Sequence, residues 1–302
     1  MSRTTVPPLP ARTPAFGLVA ALGGEAAIQQ FTAANPPLDP GPDRWLDGFD
    51  FVPFDCSGNG APRPNPCVAE LNADPEPLPA TVSNDPFILW EGVECSTLSN
   101  LPEELNERAR AKLLTTTSFQ LEREFWRGTQ AQAFTLPNVY LANATGLTDV
   151  TPVSGDAPLV YALGLMQNQI AACAAGNRAF IYVTPMTATL LLSASAIQYV
   201  NGQLLDAMGN LVVPGAGFDG SAPDGTIDTT YDTAWMYATT VPAIRMTPVE
   251  IVEPDVAVRL QLTNNLDQAI AMRYASVYTD ECCRVGVNVN LCETCCSPTV
   301  PD

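Results

Sequence analysis

One row of residues recurs at every fourth position through the middle of the chain: Leu101, Leu105, Ala109, Leu113, Thr117, Leu121 and Phe125, apolar except for one threonine. Four residues advance about 400° around an α-helix, so such a row drifts about 40° per step and winds around the axis. The spacing predicts a helix that meets different partners along its length. Its limits are written locally. Asn100-Leu101-Pro102-Glu103 supplies a cap and an acidic first turn, and Gly128 supplies a stop. The helix between them would be about 26 residues and about 39 Å long. Glu103, Glu104, Glu107, Glu122 and Glu124 are expected on its solvent-facing or subunit-facing side.

A second helical run starts near Asp156-Ala157-Pro158, carries Leu159, Leu163, Met166, Ile170 and Cys173 on one face, and stops at Gly176. Cys173 reads there as an inert core residue. Ala179 to Val183 is a short buried strand, and Thr184-Pro185 caps the next helix. Alternation of helices with short strands between residues 150 and 245 predicts a mixed α/β unit. From Val249 onward the chain turns to strands, over Glu250 to Val252, Val256 to Leu262 and Ala269 to Tyr278, which can return to pair beside the long helix. No internal repeat is evident.

The first 86 residues hold 16 of the 28 prolines, a density that forbids long helices and central strands. One helical patch, Gly24 to Ala33, interrupts an otherwise extended arm. The aromatic and apolar residues Trp45, Phe49, Phe51, Phe54, Phe87, Leu89 and Trp90 are too many for a disordered tail and need a surface to bury against. Trp45 to Phe54 and Phe87 to Glu94 read as the two strands of a long hairpin, which is marginal alone in water and so should pack elsewhere.

Composition narrows the function classes. Apolar residues make up 46% of 302, enough for a sizeable core, and no run is long and apolar enough to cross a membrane. A continuous apolar leader is not found at the start, which predicts a cytosolic product. The 32 acidic against 14 basic residues give a net charge of -18, which repels a phosphate backbone and argues against specific nucleic-acid recognition. An acidic inner wall of a container is compatible with that charge. Histidine is absent, which removes the usual acid-base group and imidazole ligand.

Three patterns invite a chemical reading. Gly215-Ala216-Gly217-Phe218-Asp219-Gly220 fits the dinucleotide spacing, but Ser221-Ala222-Pro223-Asp224-Gly225 follows where a helix is needed, so the glycines read as a turn. Asp219, Asp224, Asp228 and Asp232 read as a solvated acidic loop, with spacing unlike a standard calcium loop. Cys282, Cys283, Cys292, Cys295 and Cys296 crowd the C-terminal end, where a zinc site, disulfides formed in an oxidising medium, and free thiols all stay open.

The helix-strand-helix unit from Gly176, the wording Val212 to Gly220 and Trp235 to Thr239, and a long helix directly after a hairpin together resemble the major capsid proteins of tailed phages that infect high-GC bacteria. That resemblance implies an α+β, Hong Kong 97-like phage capsid fold. Residues 1–42 would be the N-terminal arm and 43–98 the extended loop, or E-loop. Residues 99–135 with 250–302 would form a peripheral domain with the spine helix, and 136–249 the axial domain. It further implies a structural, non-enzymatic virion protein without a cofactor, made in the host cytoplasm. Its partners would be itself in hexamers and pentamers, a separate scaffolding protein, a portal, decoration proteins, and enclosed DNA. The arm and hairpin aromatics Trp45, Phe49, Phe51, Phe54, Phe87, Leu89 and Trp90 would lie on neighbouring subunits. Some members of that family join a hairpin-loop lysine to a neighbour's asparagine; here the only lysine is Lys112, in the long helix. Other readings are a decoration or tail protein, an encapsulin-like compartment shell, and an enzyme working through carboxylates.

Overall fold

The computed structural model of the chain describes residues 16–34, 44–51, 81–96, 102–174, 176–252, 260–261, 266–279 and 283–292. Two short helices, α1 (Leu18–Ala21) and α2 (Glu25–Ala34), come first. A 3-10 turn at Arg44–Asp47 leads into β1 (Phe49–Phe51), followed by β2 (Val82–Asn84) and β3 (Phe87–Ser96). The long helix is α3 (Pro102–Arg127), 26 residues, with α4 (Thr129–Phe134) directly behind it. Short strands β4 (Thr148–Asp149) and β5 (Ala157–Pro158) precede α5 (Leu159–Cys173). Then come β6 (Phe180–Val183), α6 (Pro185–Ser193), β7 (Ile197–Val200), β8 (Gln203–Asp206), β9 (Leu211–Pro214) and β10 (Thr233–Thr239). The chain ends on β11 (Ala243–Met246), β12 (Glu250–Val252), β13 (Leu260–Gln261), β14 (Leu266–Tyr278) and β15 (Val285–Asn290).

The fold is α+β, with α3 lying across two sheets. In the five-stranded sheet, β14 runs through the centre. On one side β3 pairs with it antiparallel from Leu266↔Ser96 to Ala275↔Phe87, and on the other β11, β12 and β13 follow one another. The larger sheet has the order β4-β15-β10-β6-β9-β8-β7, with β5 also on β15. Its strands alternate between two cores. Phe180, Tyr182, Leu211, Val213 and Tyr237 face α3, while Ile181, Val183, Val212, Met236, Val287 and Val289 face α5 and α6. A strand covered on both faces reads as a continuous apolar run, which is why β6 is buried at all four positions.

The winding row on α3 does what its spacing predicts. Leu105, Ala109, Leu113, Thr117, Leu121 and Phe125 are all at most 3% exposed. The helix packs on β3 and β14, with Lys112, Thr116 and Gln120 bonded to β3. The last turns reach the other sheet, where Phe125 meets Tyr182 edge-on at 5.1 Å and Trp126 meets Tyr237 at 4.8 Å. Gly128 ends the helix with φ 61°, where a side chain would also run into the Tyr140 ring. Thr184 caps α6 by accepting the N–H of Thr187 at 3.1 Å, as its sequence predicts.

Three expectations are corrected. The run Phe87 to Glu94 does not pair with Trp45 to Phe54: β3 pairs with β14, and only the short β1 and β2 pair with each other. The cause is burial, because Phe87 and Leu89 need a covered face and the β14–α3 frame supplies one. Of residues 250–302, expected together beside the long helix, β12 and β14 do pack on α3, but β15 crosses into the larger sheet between β10 and β4. There Val285, Val287 and Val289 are buried, and Gly286 lets the Tyr237 ring approach. Cys173 is not an inert core thiol; it is joined to Cys283 in a disulfide with Cα atoms 5.6 Å apart.

Candidate functional site

The open apolar surface of the five-stranded sheet lies along β3. Side chains alternate across a strand, so burying Phe87 and Leu89 turns Ile88 and Trp90 outward. Ile88 is 47% and Trp90 61% exposed, and Phe119 from α3 stands beside them at 44%. With Gln120, Arg123 and Thr129 they line a groove of about 380 Å³. Two carbonyls of β3 accept from the helix: Gln120 donates to Trp90 O at 3.4 Å and Lys112 to Gly92 O at 3.2 Å. Glu91 gathers the same side chains, with Lys112 at 2.7 Å and Thr116 and Gln120 at 3.0 Å. Lys112 is therefore committed to its own chain.

Of the aromatic set predicted to lie on neighbouring subunits, Trp90 is open and the rest divide. Trp45, Phe87 and Leu89 are buried within their own chain, at 1%, 5% and 3% exposure, so they have no surface to offer a neighbour. Phe49 and Phe51 are half-buried around Tyr278, at centroid distances of 5.1 and 5.0 Å, and the Arg245 guanidinium lies 5.3 Å over Phe49. Phe54 lies outside the described residues.

The cysteine cluster is also divided. Cys283 is taken by Cys173, and Cys292 places its sulfur 3.0 Å from Asp232 Oδ1. Cys282, Cys295 and Cys296 lie outside the described residues. Among the described residues no three His, Cys, Asp or Glu side chains converge in a metal-holding group. The acidic loop uses its carboxylates locally: Asp219, Asp224 and Asp228 each accept the N–H two residues ahead, at 3.0, 2.9 and 2.9 Å. Asp228 also takes the Thr233 N–H at 2.8 Å, and bonds from Thr230 and Thr233 hold its carboxyl well below the usual range. In the glycine run only Gly220 has the left-handed φ, 75°. Gly217 is there for close approach instead, since a Cβ would strike the α3 backbone at Phe119.

Sequence reading missed the buried charges. Glu122 and Glu124, expected outside, are 1% and 7% exposed. The 40° drift per step brings this side of α3 inward by its last turns, so the signal lay in the row itself. Glu122 accepts from Leu18 N at 2.9 Å, Ser118 Oγ at 2.8 Å and Gly217 N at 3.0 Å. Burial pushes its carboxyl above the usual 4.5, against the pull of those bonds. Glu124 caps α4 through the N–H groups of Gln130 and Ala131, and burial raises it too. Arg273, buried within β14, binds Glu25 of α2 at 2.8 Å and the carbonyl of Thr247. Arg284, next to the disulfide, holds the carbonyls of Tyr140, Asn143 and Thr145.

No known protein family's profile matches the chain, and no curated protein does. Solved structures similar to it include one titled Gordonia phage Cozz, at 14% identity over 79% of this chain and 79% of that chain, with a TM-score of 0.49. Another is the capsid of an empty GTA particle, at 14% identity over 80% and 85%, with a TM-score of 0.47. A third is the holo-SrpI encapsulin complex from Synechococcus elongatus PCC 7942, at 11% identity over 73% and 79%, with a TM-score of 0.47.

Proposed function

We propose that this chain is the major capsid protein of a tailed phage, with the Hong Kong 97-like fold, self-assembling through hexamers and pentamers into an icosahedral head around double-stranded DNA. The observation that carries the reading is the frame of β3, the 26-residue α3 and β14, whose outer apolar row of Ile88, Trp90 and Phe119 is left open. A long helix flanked by returning strands is what the sequence resemblance implies, and this frame supports that reading. In this reading residues 1–42 are the arm and the extended loop of 43–98 returns to the frame through β3, while β15 joins residues 136–249 in the axial unit. The protein works by geometry, not by bond-making chemistry. A net charge of -18 suits a wall that holds packaged DNA without binding it. Scaffolding, portal and decoration proteins complete the set of partners.

The open row supplies a test. Covering a tryptophan removes on the order of 150 Å² from water, about 4 kcal/mol gross. Trp90→Asp leaves the inward face of β3 unchanged, so the chain should keep its circular dichroism and lose self-association in sedimentation. Association equal to that of the wild type would overturn the assignment of this surface.

A further inference from the structure

The helices over one face of the larger sheet carry almost no charge. From Ala157 to Leu205 the sequence holds one charged residue, Arg178, where the chain's average of 15% would place about seven. Both α5 and α6 lie in this stretch and bury their inner residues on the sheet. Their outer residues stay open: Val160, Tyr161, Met186 and Leu192 are 41 to 58% exposed, without cover among the described residues. On α5 the open positions Val160, Tyr161, Gly164, Asn168, Ala171 and Ala172 fall within about 120° of the helix circumference and form one face.

Two features of this face find no cause among the described residues. Neither helix has an acidic residue in its first turn, where a carboxylate would meet the free N–H groups and stabilise the helix. Gly164 sits inside α5, where glycine costs stability, yet its φ is not left-handed and an added Cβ would meet nothing within 4 Å. Both omissions suit another surface lying close against the helix. The missing charge also says which kind of surface. A cationic partner is drawn by carboxylates and a nucleic acid by lysines and arginines, and the face offers neither. What it removes is like-charge repulsion, which a chain of net charge -18 meets in full from its own copy.

We propose that the α5–α6 face is a contact between copies of this chain, the uncharged window through which two strongly anionic subunits approach. The proposal rests on the reading of the chain as self-assembling. It adds a second surface to the Trp90 row, which lies on the other sheet. The contact forms against the repulsion of the charges around it, so association should strengthen as salt screens that repulsion. Association driven by ion pairs runs the other way.

The test is sedimentation velocity of the full chain at tens of micromolar, with sodium chloride from about 0.05 M to about 0.5 M. The wild type should associate more strongly as salt rises. Val160→Glu puts a carboxylate on the face, in the first turn of α5 where it favours the helix. Its monomer should unfold no earlier than the wild type's, while association weakens by about tenfold or more. Ala133→Glu adds the same charge on the exposed side of α4 and should change association by less than about twofold. Association that falls with salt, or that Val160→Glu leaves equal to the wild type's, would overturn the proposal. So would an earlier unfolding of the Val160→Glu monomer, which would mean that a segment of the same chain covers the face. Where Trp90→Asp abolishes association and Val160→Glu does not change it, this contact alone fails; a wild type that stays monomeric fails the self-assembly reading with it.

Discussion

The carboxylate of Glu122 accepts the backbone N–H of Leu18 at 2.9 Å across 104 residues of chain, which fixes the N-terminal helices to the middle of α3. Glu122→Ala strands that N–H, the Gly217 N–H and the Ser118 hydroxyl without an acceptor in a site only 1% exposed. A buried unsatisfied donor costs about 1–3 kcal/mol, so the variant should lose about 3 kcal/mol in denaturant unfolding at neutral pH. A loss below about 0.5 kcal/mol would mean that the junction contributes nothing to stability.

The Cys173–Cys283 bond closes a loop across a separation of 110 residues and fixes the end of α5 to the entry of β15. Restricting an unfolded chain over such a loop is worth about 2–5 kcal/mol. Cys173→Ser, or wild type kept in reductant, should therefore unfold earlier than oxidised wild type. The Ser variant should be insensitive to reductant over this transition, and equal midpoints for oxidised and reduced wild type would rule the bond out as a structural element.

Much of the fold was legible in the sequence where a signal is local and periodic. The limits of α3, its winding row, the buried face of α5, the β6 strand and the Thr184 cap all rest on spacing within one element. The hairpin of β7 and β8 went unread, although Asn201-Gly202 at its tip, with φ 50° and 84°, is a local turn signal. What could not be read is what distance in sequence hides: the pairing of β3 with β14, the crossing of β15 into the larger sheet, and the partners of Glu122, Arg273 and Cys283. The surface set shows the same limit. Composition marked Trp45, Phe87, Leu89 and Trp90 alike as apolar, but only the β3 register decides that Trp90 faces out.

Lys112 is bound to Glu91 at 2.7 Å and to the Gly92 carbonyl at 3.2 Å, on the long helix and away from any loop tip. With no other lysine in the chain, an amide cross-link through a lysine amine has only this one bound candidate as nucleophile. Particles boiled in detergent with reductant should run as a single band near 32 kDa. Lys112→Ala should leave that pattern unchanged and cost less than about 1 kcal/mol, as befits a half-exposed ion pair. A ladder of reductant-resistant multimers would show a covalent chemistry that this sequence does not predict.

Shell formation itself is tested most directly by negative-stain electron microscopy of the protein produced together with its neighbouring genes. Closed, uniform icosahedral particles or their capsomers are the predicted result. A soluble 32 kDa monomer at tens of micromolar, forming no shells under any of these conditions, would contradict the assignment of this chain as a capsid subunit.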